Sequence, residues 1–148
     1  MNNLPGQPFR DASPLLRRAG LRPTRQRAAL AQLLFIGNRH VTAEGLHAEA
    51  IASGCRISLA TVYNTLHQFH EVGLLRELAV DGSRTYFCTN TSNHNHFYDE
   101  AQQEISDIPD NQITVEVLPK PPDGFKIAHI DVVVRLVPLL GGKRGSPA

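Results

Sequence analysis

The chain has little cysteine. Of its 148 residues only Cys55 and Cys88 are cysteines, and they form no CxxC. That spacing excludes a disulfide framework and a cysteine-rich zinc site. No apolar run is long enough to cross a membrane. The opening MNNLPGQPFRDASP lacks the apolar core of a signal peptide. A cytoplasmic protein is therefore expected. There is no GxSxG, no HExxH and no glycine-rich phosphate loop, so no enzyme is expected either. Cys55 follows the helix-stopping Gly54 with no partner base in view and reads as a small apolar packing residue.

What is present is unevenly distributed. The net charge of +1 conceals a split: residues 1–90 hold ten basic and six acidic side chains, and residues 91–148 hold five and eight. A basic front and an acidic back suggest separate tasks. The early basic residues Arg10, Arg17, Arg18, Arg22, Arg25 and Arg27 are all arginine, the side chain suited to phosphate contact and minor-groove insertion. A solvated basic face is the alternative for that run alone. The hydrophobic content of 41% suffices for a packed core.

Residues 57–75, ISLATVYNTLHQFHEVGLL, are the most informative stretch. Ser58 is a good N-cap and Gly73 a good left-handed stop. Leu59, Val62, Leu66 and Phe69 share one face at helical spacing. The other face offers Ala60, Thr61, Asn64, Thr65 and Gln68, uncharged and small or amide-bearing. Such groups can meet base edges and thymine methyls in a major groove. Thr42 caps a preceding helix of about residues 43–52, ended by Gly54; Gly45 inside it costs about 1 kcal/mol relative to Ala, and nothing in the sequence explains it. Thr24 caps one of about residues 25–34, with a short helical turn at 15–19 before it. After the long helix, residues 75–80 and 84–88 flank an Asp81-Gly82 turn and read as a hairpin. Helix-turn-helix and then hairpin is the order of a winged-helix DNA reader.

The expected organisation is a flexible arm at 1–14, a winged-helix DNA-binding domain at 15–88, a hinge at 89–93, a smaller domain at 94–138 and a flexible tail at 139–148. In the smaller domain residues 94–98 read as a strand, and residues 127–136 alternate well enough for another. Residues 113–118 fit a strand by alternation and a helix by position. The fold class is α+β.

His94 and His96, two apart on a strand, present both imidazoles to one face, where they could share a metal or simply form polar surface. Further ligands by chemistry are His40, Cys88, Asp99, Glu100 and His129. His70 reads as a packing histidine and His47 as surface.

The segments RPTRQRAAL, HVTAEGLHAEA, SLATVYNTLHQFHEVGLL and DGSRTYF, with the TVYNTL core preceding the His-x-His, resemble the ferric uptake regulator superfamily. TNTS…HFY, DIPD and LPKPPDGFKIAHIDVVVRL look most like its iron response regulator branch. The resemblance covers about residues 15–136. It implies a homodimeric, cytoplasmic transcription factor with an N-terminal winged helix and a C-terminal α/β dimerisation and ligand-sensing domain. It places Tyr63 at the bases and Arg22 in the minor groove. With Arg25 and the N-terminal part of the long helix, this makes Arg22, Arg25, Ser58, Ala60, Thr61, Tyr63 and Asn64 the candidate DNA-binding residues. His40, His94 and His96 match ligands of the family's regulatory metal site, with Cys88 where a Glu or Asp usually stands. His129 matches a ligand of a second site, whose usual companions are replaced by Asn93 and Asn95. The paired CxxC motifs of the family's structural zinc are absent, so no structural zinc held by four cysteines is expected.

The resulting expectation is a repressor-type regulator of iron or haem homeostasis that binds a palindromic operator in double-stranded DNA. Its affinity would be controlled by a divalent metal (Fe, Mn or Zn), by haem, or by both. A metal- or haem-binding protein without gene targets and a ligand-independent winged-helix repressor are the alternatives.

Overall fold

Local hydrogen bonding explains most of the helix boundaries. In a computed structural model that describes residues 11–82, 84–109 and 112–140, four helices precede the hairpin: α1 (Ser13–Arg18), α2 (Arg25–Leu34), α3 (Ala43–Ala52) and α4 (Leu59–Glu71). Thr24, Thr42 and Ser58 each accept a hydrogen bond from the backbone N–H three residues on, at 3.2, 3.1 and 3.1 Å. Each thereby satisfies one of the donors a helix start leaves orphaned. The cap also accounts for Gly45: a Cβ there would lie 3.2 Å from the capping Thr42 hydroxyl, tight enough to disturb it. Gly73, at φ 80°, lets the chain leave α4 in a left-handed turn while the Leu74 N–H donates back to the Phe69 carbonyl at 2.8 Å.

Helix α1 starts earlier than expected and takes in Ser13 and Pro14, residues assigned above to a flexible arm. Proline is accepted in a first turn, where its missing N–H would be orphaned anyway, and the Asp11 carboxylate accepts from the Ser13 N–H at 2.9 Å. The rest of the expected arm, Arg10 included, and residues 141–148 of the expected tail lie outside the described residues.

The chain divides into two compact units between Thr91 and Ser92. In unit one, β1 (His40–Val41), β2 (Arg76–Asp81) and β3 (Arg84–Cys88) form an antiparallel sheet in the order β1-β3-β2. Its core joins Leu16, Leu30, Leu34, Leu46, Val62, Leu66, Phe69 and Phe87, all fully buried. Each such side chain contributes about 1.5–3 kcal/mol on removal from water. Thr89, the first of the residues read as a hinge, is bonded into this unit. Its N–H donates to the Arg39 carbonyl at 3.0 Å, and its hydroxyl donates to the Gly37 carbonyl at 2.9 Å and accepts from the Arg39 N–H at 2.8 Å.

Unit two is a second three-stranded sheet. The central β4 (Asn95–Asp99) pairs antiparallel with β5 (Glu104–Ile108) and parallel with β6 (Val133–Leu136). The β4–β5 hairpin, absent from the sequence-based reading, turns where the Asp99 carboxylate accepts from Ala101 and Gln102 N–H groups and Gln103 takes φ 56°. The strand expected at 127–136 is confined to β6, because β4 offers parallel partners only from His96 to Asp99. Residues 113–118 are neither strand nor helix. Among the described residues unit two contains no helix; the fold class is α+β.

Candidate metal centre and nucleic-acid interface

The β4–β5 register builds the densest group of metal-ligating side chains in unit two. His94, His96 and Tyr98 share the buried face of β4 and its approach. Asp107 stands directly across from His96 on β5. The Asp107 carboxylate lies 3.1 Å from His94 Nε2 and 3.5 Å from His96 Nε2, and ligand atoms of the three lie within 4.8 Å of one another. Both imidazoles are buried, at 6% and 1% exposure, and their rings meet edge to face at 4.4 Å. His94 Nδ1 lies 2.7 Å from the Ser92 carbonyl, a contact that requires an N–H on Nδ1. That orients the ring and turns Nε2 toward the carboxylate, as outer-shell bonds do for metal-ligating histidines.

Unit one holds a second donor pair. His40 on β1 faces Cys88 on β3 in register, with donor atoms within 4.8 Å. Cys88 is 1% exposed, and its thiol approaches the Asn90 carbonyl at 3.5 Å. Imidazole with carboxylate suits Fe, Mn or Zn; a thiolate adds preference for softer metals. The residues therefore fit a divalent cation by donor type in both units.

Asp107 escaped the sequence reading because it is eleven residues from His96 and reaches it only through the hairpin register. EISDI, with two adjacent polar residues between its isoleucines, has no clean alternation to signal the strand. Three other candidates have structural partners instead. Asp99 caps the β4–β5 turn. Glu100 accepts from Arg135 at 3.1 Å. His129 is half-exposed against Asp131 at 3.0 Å and, with Asn93 and Asn95, lines an open cleft.

On α4 the residues read as DNA-facing divide into several roles. Ala60 and Asn64 are exposed. The Ser58 and Thr61 hydroxyls are 2.9 Å apart and satisfy each other at the helix start. Thr65, read as part of the polar face, is instead 4% exposed, with its hydroxyl donated back to the Thr61 carbonyl at 2.8 Å. Gln68 is braced: its Oε1 accepts from Arg27 Nε and Nη2 at 3.2 and 3.0 Å. Arg27, which also donates to the Arg22 carbonyl, is thus a strut between helices, not an available phosphate contact. Arg22 and Arg25 are exposed.

Tyr63 is half-buried, and its hydroxyl donates to Glu44 Oε1 on α3 at 2.6 Å. That bond, reinforced by the Glu44 backbone N–H and the Arg84 charge, lowers the Glu44 pKa. The same bond raises the Tyr63 pKa.

The remaining histidines depart from expectation. His47, read as surface, places Nε2 2.9 Å from the Ile57 carbonyl and ties α3 to the turn before α4. His70, read as packing, is exposed, with Nδ1 3.1 Å from the Leu75 carbonyl.

No helix among the described residues is long and apolar enough to cross a membrane. The peroxide-responsive repressors PerR of Staphylococcus aureus and Staphylococcus epidermidis are 34% and 35% identical over 115 residues. The match covers 77% of this chain and 78% and 77% of theirs. Among solved structures, the ferric uptake regulator from Pseudomonas aeruginosa with manganese is 27% identical with a TM-score of 0.63. That match covers 83% of this chain and 94% of that one. The Vibrio cholerae ferric uptake regulator, at 23% identity and a TM-score of 0.64 over 84% and 98%, shares the fold. The sequence matches the ferric uptake regulator family over residues 18–135, and the chain belongs to that family of metal-responsive, DNA-binding transcription regulators, which are not enzymes.

Proposed function

We propose that this chain is a cytoplasmic, homodimeric repressor whose affinity for a palindromic operator is set by one divalent cation per subunit. His94, His96 and Asp107 of unit two would hold it, and the family resemblance adds His40 and Cys88 as candidate ligands. The observation that carries the reading is the group of two buried imidazoles, His94 and His96, beside the half-buried Asp107 carboxylate, brought together by the β4–β5 register. When bound, the cation would supply an attraction for the lone pairs of its ligands. The protein's part is to orient the His94 imidazole through the Ser92 carbonyl and to carry the recognition helix α4 on the same unit as His40 and Cys88.

Two such helices must stand about one turn of DNA apart to read a palindrome. Ligation can shift DNA affinity only as far as the cation prefers one arrangement of the units over another. Arg22 and Arg25 serve phosphate or minor-groove contacts, and Ala60, Thr61, Tyr63 and Asn64 serve bases, with Ser58 starting the helix. Dimerisation through unit two is supported by its exposed apolar side chains, among them Val115, Val117, Phe125 and Val137.

Within the family we assign the chain to the iron response regulator branch on the segments HFY, DIPD and LPKPPDGF, which makes iron homeostasis the regulated process. The test is a gel-shift titration of the full chain against its selected operator with Mn(II), Fe(II), Zn(II) or haem added in turn. A metal-dependent change that His94→Ala/His96→Ala abolishes supports the reading. A response to haem alone, or an unchanged response in the double variant, overturns it.

A further inference from the structure

The contact between Glu44 and Tyr63 has a chemical consequence for base reading. Both residues lie on the helix-turn-helix, Glu44 at the start of α3 and Tyr63 on the second turn of α4. Glu44 is exposed and Tyr63 half-buried, so the carboxylate is not there to satisfy a buried hydroxyl. At 2.6 Å the bond is a short, charge-assisted one. A tyrosine hydroxyl has one proton to donate and two lone pairs to accept with. A carboxylate can only accept. The proton is therefore held on the Glu44 side, and the phenolic oxygen keeps only acceptor capacity toward any third group.

In the major groove the donors are the exocyclic amino groups of adenine and cytosine, whereas guanine O6 and thymine O4 are acceptors. A lone-pair oxygen facing O6 or O4 has no bond to make, and an unsatisfied polar contact at a closed interface is costly. An unclamped tyrosine could rotate its proton to suit either kind of edge. The Glu44 charge also stands on the surface assigned to DNA, where it repels phosphates and selects against loose, non-specific docking.

We propose that Glu44 is a specificity-determining positioning residue: by holding the Tyr63 proton, it makes Tyr63 an acceptor-only reader of an adenine or cytosine amino group. This rests on the reading of α4 as the DNA-facing helix.

The test is in vitro selection from a random duplex pool, by the full chain with and without Zn(II), for the wild type, Glu44→Ala, Glu44→Gln and Tyr63→Phe. The wild type enriches adenine or cytosine at one symmetric position. Glu44→Ala frees the proton, and discrimination against guanine and thymine there falls roughly tenfold per half-site. Glu44→Gln keeps an amide oxygen to take the proton and retains the wild-type preference. Both Glu44 variants gain equally in non-specific binding, since both remove the charge. Tyr63→Phe loses the preference outright. Spectrophotometric titration adds a readout independent of DNA, in which the Tyr63 ionisation moves down in Glu44→Ala.

An unchanged profile in Glu44→Ala, or an equal relaxation in the Ala and Gln variants, overturns the proposal while leaving α4 as the reader. An unchanged profile in Tyr63→Phe overturns it as well, and no enriched site for the wild type under either condition overturns both.

Discussion

The two units handle apolar surface in opposite ways. Unit one wraps its large side chains in a closed core of four helices and a small sheet, and its fully buried residues run from Leu16 on α1 to Phe87 on β3. Unit two exposes them: ten of the thirteen large hydrophobics exposed among the described residues fall between Val115 and Leu140. A unit with a closed core can keep its shape when its neighbours move. One that leaves apolar surface in water is completed by a partner. The contrast suits a self-contained unit that carries the DNA-reading helix and a second unit that meets another copy.

Substitutions can break that comparison, and the largest effect is expected in the core. Phe69→Ala should destabilise unit one by about 3–5 kcal/mol, seen as a lower denaturation midpoint that does not vary with protein concentration. Val137→Ala in unit two should do little to a dilute monomer and instead shift the concentration dependence of unfolding. A core-sized loss there independent of concentration would show unit two to be closed on its own.

The next effect falls on the triad. Asp107→Ala should weaken Mn(II) or Zn(II) binding by more than about 100-fold, beyond what outer-shell partners of a ligand contribute, while the circular dichroism of the helices stays put. Calorimetric titration measures it, and an unchanged isotherm removes Asp107 from the ligand set. Smaller still, Asn64→Ala should cost roughly 1–3 kcal/mol of specific DNA affinity and spare non-specific binding. Arg25→Ala should instead lower the salt dependence of both by about one unit of slope. Reversal of those two patterns in fluorescence anisotropy would exchange their roles.

The smallest expected effect is a titration. Tyr63→Phe should let the Glu44 pKa rise toward its ordinary value. The depressed group contributes stability above the ordinary carboxylate range and loses it as the pH falls through the folded value. For so exposed a carboxylate the gain is slight. Carboxyl NMR of Glu44 in the two proteins reads it directly.

The same division governs what the sequence disclosed. Unit one was legible because its signals are local: a hydroxyl cap lies three residues from the N–H it serves, and Gly73 closes a helix four turns from Ser58. Misreadings there came from side chains with two outlets. Thr65 satisfies its own backbone in place of facing a groove, and Arg27 reaches Gln68 forty-one residues away in place of solvent.

Unit two was partly hidden because strand registers are non-local. His94 and His96 were visible as a pair, but the carboxylate that completes them depends on which residue of β5 faces His96. Alternation over 127–136 could not show where the parallel partner stops. The hairpin carrying Asp107 turns through Gln103 in a left-handed conformation, a position where glycine or asparagine would have been the recognisable sign.

The central claim is that a cation held by the His94, His96 and Asp107 group controls the DNA-reading unit. It is tested most directly by the anisotropy-measured operator affinity of the full chain across a Zn(II) titration, wild type against Asp107→Ala. The account predicts an affinity that changes at least about tenfold as the wild type fills, and an Asp107→Ala curve flat over the same range. Parallel curves for the two proteins would contradict it.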